Sequence, residues 1–144
     1  GLTVSGSASW ALFLICLVPV FGDEAGVVVC GVPAQAAGGL VPVGLVLPLS
    51  GQLGLDPATG ALAEGVQAQT HQALKNLQAV LQEAGLTLDN VVKTTVFVQD
   101  LGDFGTVNEI YGTYFHGGFP ARSCVQIAAL PKGALVEIEC IAVR

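Results

Sequence analysis

Residues Val136 to Val143 alternate with a period of two. Val136, Ile138, Cys140 and Ala142 point one way, and Glu137 and Glu139 point the other. Only a strand with one buried face and one open, charged face satisfies that pattern. A strand of this kind belongs to a sheet covered on one side only. The covering elements must then come from segments with helical period. Glu64 to Ala84 supplies one, because Leu74, Leu77, Val80, Leu81 and Ala84 recur at three- and four-residue steps, and Gly85 follows as a stop. A second helix is expected from Asp103, a good N-cap type, with Phe104, Val107, Tyr111 and Tyr114 on its buried side.

The remaining segments read as strands and turns. Leu45 to Gln52 is apolar and ends in turn residues. Pro48 within it removes a ladder donor and favours an edge or a bulge. Leu55 to Gly60 has Asp, Pro and Gly in turn-forming places, with an extra hairpin strand expected after it. Lys93 to Val98 is rich in β-branched residues. Ser123 to Leu130 is expected to be a strand joined to the last one, Ala134 to Val143, through Pro131-Lys132-Gly133. The order strand, turn, helix, strand, helix, strand, strand gives an α+β fold, a mixed β-sheet with two helices packed on one face.

The first 36 residues resist this reading. Trp10 to Phe21 is an apolar run too short to span a bilayer, which needs about 20 apolar residues. Ala34-Gln35-Ala36 resembles a signal-peptidase site, yet no cationic segment precedes the apolar run and the site lies too far downstream. A short strand at Val27 to Cys30 and a loop at Gly38 to Val43 are expected. We therefore divide the chain into a divergent segment, residues 1–36, and a domain, residues 37–144.

Charge narrows the function. The chain has 144 residues, a formal charge of −6 and five cations, Lys75, Lys93, Arg122, Lys132 and Arg144. Nucleic-acid binding needs a basic patch, so no nucleic-acid partner is expected, and no membrane partner either. Only 11% of residues are charged while 52% are hydrophobic. So apolar a small domain is expected to hide part of its surface in an oligomer. The four cysteines, Cys16, Cys30, Cys124 and Cys140, have no CxxC pairing, and His71 and His116 have no ligand-spaced partners. Reduced thiols, a cytoplasmic location and no metal are expected.

Arg122 is the candidate functional cation. It lies in Phe119-Pro120-Ala121-Arg122-Ser123-Cys124, entering an apolar strand. Its planar fork of donors suits a carboxylate. That carboxylate is either Glu137 or Glu139, in a structural ion pair between neighbouring strands, or a ligand, with Glu137 handling protons. The residues alone leave both open.

Residues Leu49 to Arg144 resemble the Rid family, the reactive intermediate deaminases also called the YjgF or L-PSP group. The resemblance is carried by Ser50-Gly51-Gln52, Asp56-Pro57-Ala58-Thr59-Gly60, Val91 to Val98 and Val107-Asn108-Glu109-Ile110-Tyr111. Phe119 to Ser123, Leu130-Pro131-Lys132-Gly133 and Val136-Glu137-Ile138-Glu139 continue it in one collinear order. The Arg-Ser-Cys and Glu-Ile-Glu forms are similar to the RidA subfamily, the 2-iminobutanoate/2-iminopropanoate deaminases.

The resemblance implies a chorismate-mutase-like fold, a homotrimer with interfacial clefts, and hydrolysis of enamines and imines to 2-oxo acids and ammonia without cofactor or metal. It implies that Arg122 holds the carboxylate of a small 2-imino or 2-oxo acid, that Glu137 positions or activates water, and that Ser50, Gly51, Asn108 and Cys124 line the cleft. One departure stands out. The family carries Gly-Pro-Tyr-Ser-Gln-Ala shortly before Ser-Gly-Gln, and its tyrosine reaches the cleft. Here Gln35 to Leu40 has no tyrosine, and Tyr111 is the first in the chain. This keeps a second reading in view, a Rid homologue that binds ligands or acts like a chaperone. An endoribonuclease, the third, is disfavoured by the scarcity of cations.

Overall fold

The computed structural model describes residues 46–144. The Trp10 to Phe21 run, the Val27 to Cys30 strand, the Gly38 to Val43 loop and the residue 1–36 segment lie outside the described residues.

Six main elements follow in chain order: β1 (Val46–Leu53), α1 (Gly65–Glu83), β2 (Val91–Val98), α2 (Phe104–Gly112), β3 (Ala121–Gln126) and β4 (Val136–Val143). The strands form one mixed sheet in the order β1-β4-β2-β3. β4 pairs antiparallel with both β1 and β2, whereas β3 runs parallel to β2. The α+β expectation, with two helices on one face of a mixed sheet, is met.

The core forms where the two periodicities meet. Leu74, Leu77 and Leu81 of α1 are fully buried. They belong to one cluster with Leu47, Leu49, Val96, Val98, Val136, Ile138, Cys140 and Ala142, alternate residues of three strands on the helix side of the sheet. Val107 and Tyr111 of α2 join the same cluster. Gly85 ends α1 as its sequence position suggests: φ is 71°, its N–H donates to the Gln82 carbonyl, and the Leu86 N–H donates to the Leu81 carbonyl. That pair of bonds is a Schellman ending, which requires the left-handed conformation glycine tolerates.

Among the described residues β1 is an edge strand, and Pro48 sits on its exposed side, opposite Ile141. The register pairs Leu49 with Cys140 and then Gln52 with Ile138, so Ser50 and Gly51 together stand opposite Glu139. This bulge and the edge position reconcile the proline with the strand. The turn after β1 is built on Asp56, whose Oδ1 accepts the Ala58 N–H at 2.7 Å. The extra hairpin strand reduces to a single bridge, Leu55 to Leu62.

Four expectations are corrected. β3 ends at Gln126 rather than Leu130. It does not neighbour β4, because β2 lies between them. A parallel β2-α2-β3 crossover occupies the position that a β3-β4 hairpin would have taken. Asp103 makes no side-chain cap. Asp100 caps the preceding Leu101–Asp103 turn instead, accepting the Gly102 N–H at 2.7 Å. Finally, Phe104 is exposed at the start of α2, and Phe115 fills the buried place beyond its end.

Leu77 touches both layers from a site with no exposure. Leu77→Ala is expected to destabilise the fold by about 3 kcal/mol, the cost of lost transfer plus a residual cavity. Urea denaturation measures it directly.

Candidate active site: two half-sites on opposite faces of the sheet

Arg122 enters β3 opposite Thr94 of β2 and points to the helix face. There α2 presents Phe104, Asn108 and Tyr111, which at steps of four and three share one stripe. The Arg122 Nη2 donates to Asn108 Oδ1 at 2.7 Å. The guanidinium carbon lies 4.6 Å from the Tyr111 ring centroid and 5.6 Å from that of Phe104. Both are cation–π distances. The ion pair with Glu137 or Glu139 does not form. Among the described residues Arg122 is held entirely by uncharged groups, in a half-buried position.

Cys124 lies two residues along on the same face, partly buried against the core, and is a free thiol. Burial pushes the Cys124 thiol up from its ordinary value, against a smaller downward pull from Arg122. A thiol kept protonated is a poor nucleophile, so the geometry gives Cys124 a lining part rather than a covalent one.

Glu137 is on the other face. In register it stands between Leu53 of β1 and Phe97 of β2, both members of a second apolar cluster with Leu55, Leu130 and Ala134. These neighbours remove water from its carboxyl. Burial first, and the Glu139 charge second, push its pKa above the usual glutamate value. Gly51 of the bulge lies directly against the Glu137 carboxyl, where any Cβ would overlap Oε1. Ser50 is the other residue of the bulge. A side chain at position 51 would displace the carboxyl from this place.

The structure thus brings Arg122, Asn108 and Cys124 together, and separately Ser50, Gly51 and Glu137. It does not join the two sets within one protomer, because the pleat sends residues 122 and 137 to opposite sides. Sequence reasoning assigned Tyr111 and Phe104 to the core alone. Their spacing from Asn108 was the available signal. Among the described residues no group of three His, Cys, Asp or Glu side chains could hold a metal ion. No helix there is long and apolar enough to cross a membrane.

A family model described as endoribonuclease L-PSP matches residues 36–144. A mouse protein named 2-iminobutanoate/2-iminopropanoate deaminase is 56% identical over 105 residues, covering 72% of this chain and 78% of its own. A Salmonella typhimurium protein of the same name is 52% identical over 107 residues, covering 72% and 84%. The crystal structure of E. coli TdcF with bound serine superposes with a TM-score of 0.68 at 40% identity, covering 78% of this chain and 95% of that one.

The raised Glu137 pKa has a definite sign in stability. The folded state holds this proton more tightly than the unfolded chain does. Its contribution therefore falls as pH rises from the ordinary glutamate value through the raised folded value. Glu137→Gln is expected to be more stable than wild type above that window and to lose the advantage below it. Denaturation midpoints of both proteins across acidic to neutral pH check this.

Proposed function

The chain belongs to the endoribonuclease L-PSP family, and from that premise we propose that it is an imine and enamine deaminase of the RidA type. Residues 37–144 carry the activity. It adds water to the C=N bond of small 2-imino acids, such as 2-iminobutanoate and 2-iminopropanoate, and releases the 2-oxo acid and ammonia. Relatives between 48% and 58% identical bear the name of that activity. The observation that carries the reading is the state of Arg122, a half-buried guanidinium with no carboxylate partner among the described residues.

Such a fork is built for a ligand carboxylate. In the proposed reaction Arg122 fixes the carboxylate of the imino acid and thereby orients the imine carbon. Asn108 holds the guanidinium edge, and Cys124, Ser50 and Gly51 line the cleft. Water attacks the imine carbon, and Glu137 takes its proton. That proton passes to the nitrogen, giving a carbinolamine. The carbinolamine hydroxyl proton then follows the same route to the nitrogen, which leaves as ammonia as the C–N bond breaks and the carbonyl forms. A carboxyl whose pKa is raised suits both transfers.

Arg122 and Glu137 on opposite faces make one copy of the chain insufficient. We propose a homotrimer in which each cleft combines Arg122 of one protomer with Glu137 of its neighbour. Apolar side chains on the open face support it. Val46, Val125 and Ile141 are 57%, 41% and 36% exposed, and all lie on the side away from the helices. Cyclic packing of that face would cover them. The free thiol of Cys124 fits a reducing, cytoplasmic setting.

The test generates 2-iminobutanoate with a threonine dehydratase and follows 2-oxobutanoate. Acceleration above the spontaneous rate is expected, and its absence would remove the deaminase reading. Arg122→Lys keeps the charge but loses the two-point grip, about 2–3 kcal/mol. We expect a loss of roughly 30- to 150-fold in kcat/KM with little change in thermal stability. Ile141→Asp places a charge on the open face. Sedimentation is expected to show three-copy assemblies for wild type and single copies for this variant.

A further inference from the structure

Tyr111 is 2% exposed and Thr94 has no exposure at all. Their hydroxyls are 2.7 Å apart, a short bond sealed in the core. A buried tyrosine hydroxyl needs a partner, and a core position that only needs bulk does better with phenylalanine, which has no polar atom to satisfy. The neighbouring ring, Phe115, stacked at 4.6 Å, is that case. Position 111 instead carries a hydroxyl, and its partner Thr94 is the residue in register with Arg122. The same ring lies under the Arg122 guanidinium at 4.6 Å.

We infer that Tyr111, locked by Thr94, is a positioning residue for Arg122: its ring sets the plane of the guanidinium fork that receives the substrate carboxylate. The inference rests on the proposed role of Arg122 and deepens it. Arginine on an edge strand has many rotamers, and a bidentate grip needs one plane. Asn108 fixes rotation within the plane through its bond to Nη2. The Tyr111 ring fixes the plane itself, since a flat cation stacks parallel on a flat π-face. The hydroxyl pair keeps the ring from turning, so the alignment is anchored to the middle of the sheet. Tyr111 does not need to touch substrate for this, and it is not a catalytic residue.

The experiment compares Tyr111→Leu, Tyr111→Phe and Thr94→Val, each alone and combined with Arg122→Lys. Two readouts are used: deaminase kinetics on 2-iminobutanoate, and the 15N NMR signal of the Arg122 Nε–H, identified by its loss in Arg122→Lys. Tyr111→Leu is expected to raise KM by about 10-fold while kcat changes by less than about 3-fold, as for a contact present in ground and transition states alike. Tyr111→Phe, which keeps the ring, recovers most of that loss, and Thr94→Val falls between. In the Arg122→Lys background Tyr111→Leu should change kcat/KM by less than about 2-fold, because its effect runs through the planar group. The Arg122 signal should exchange with water faster in Tyr111→Leu. Equal losses in both backgrounds with an unaltered Arg122 signal would mean a merely structural tyrosine and would overturn the inference. Should Tyr111→Leu fail to fold, Thr94→Val, which keeps the buried shape, carries the same two comparisons. If wild type shows no deaminase activity, the function falls alone, and the NMR arm still decides the positioning role.

Discussion

Burial of the α1 leucines against one face of the sheet is the constraint on which everything else depends. Leu74, Leu77 and Leu81 press on Val96, Val98, Val136 and Ile138 and leave no room for a second chemistry there. Both helices are committed to this layer, so no helix of the described chain covers the other face, where the Leu53, Leu55, Leu130 and Ala134 cluster packs instead. A strand alternates whether or not its open side has a partner. Glu137, Glu139, Thr95, Lys93 and Ile141 are therefore placed on the uncovered side by the same pleat that buries their neighbours.

The electrostatics follow from that division. Arg122 and Glu137 are opposite charges in one small domain, yet a four-stranded sheet separates them. Neither is neutralised by the other. Aromatic faces and an amide oxygen hold Arg122, and an apolar pair of flanking residues raises the proton affinity of Glu137. A protein selected for stability alone would pair such groups or replace them. Keeping each partly desolvated and apart is a cost that makes sense where a third molecule bridges them.

Much of the fold was legible because its two periods are clean. The α1 stripe, its glycine stop and the alternation in β4 each have one physical reading, and each appears within a residue or two of its expected place. Strand adjacency was not legible. Alternation tells which way a side chain points, not which strand lies beside it, and the short Pro131–Gly133 link suggested a hairpin. The parallel β2-β3 pairing depends on α2 packing over the sheet, a tertiary fact that no local pattern near Arg122 encodes. Phe104 was misplaced for a related reason. Its spacing fits the buried stripe, but at the first position of α2 it meets Arg122 and solvent rather than core.

The candidate site shows the same limit from the other side. Arg122 and Glu137 stand out in the sequence as charges set into apolar strands, and Asn108 emerges beside Arg122 in the structure. What the residues could not disclose was that the two charges occupy opposite faces. In the proposed reading a single copy then presents two half-sites, one with the grip and one with the proton carrier. Because the sheet between them is too rigid to bend a residue from one face to the other, the proposed deaminase site would have to be completed by a surface outside the protomer. In the proposed trimer the exposed apolar side chains of the open face and the carboxyl of Glu137 belong to one arrangement: the contact that would bury the former is the contact that would bring the latter to an arginine.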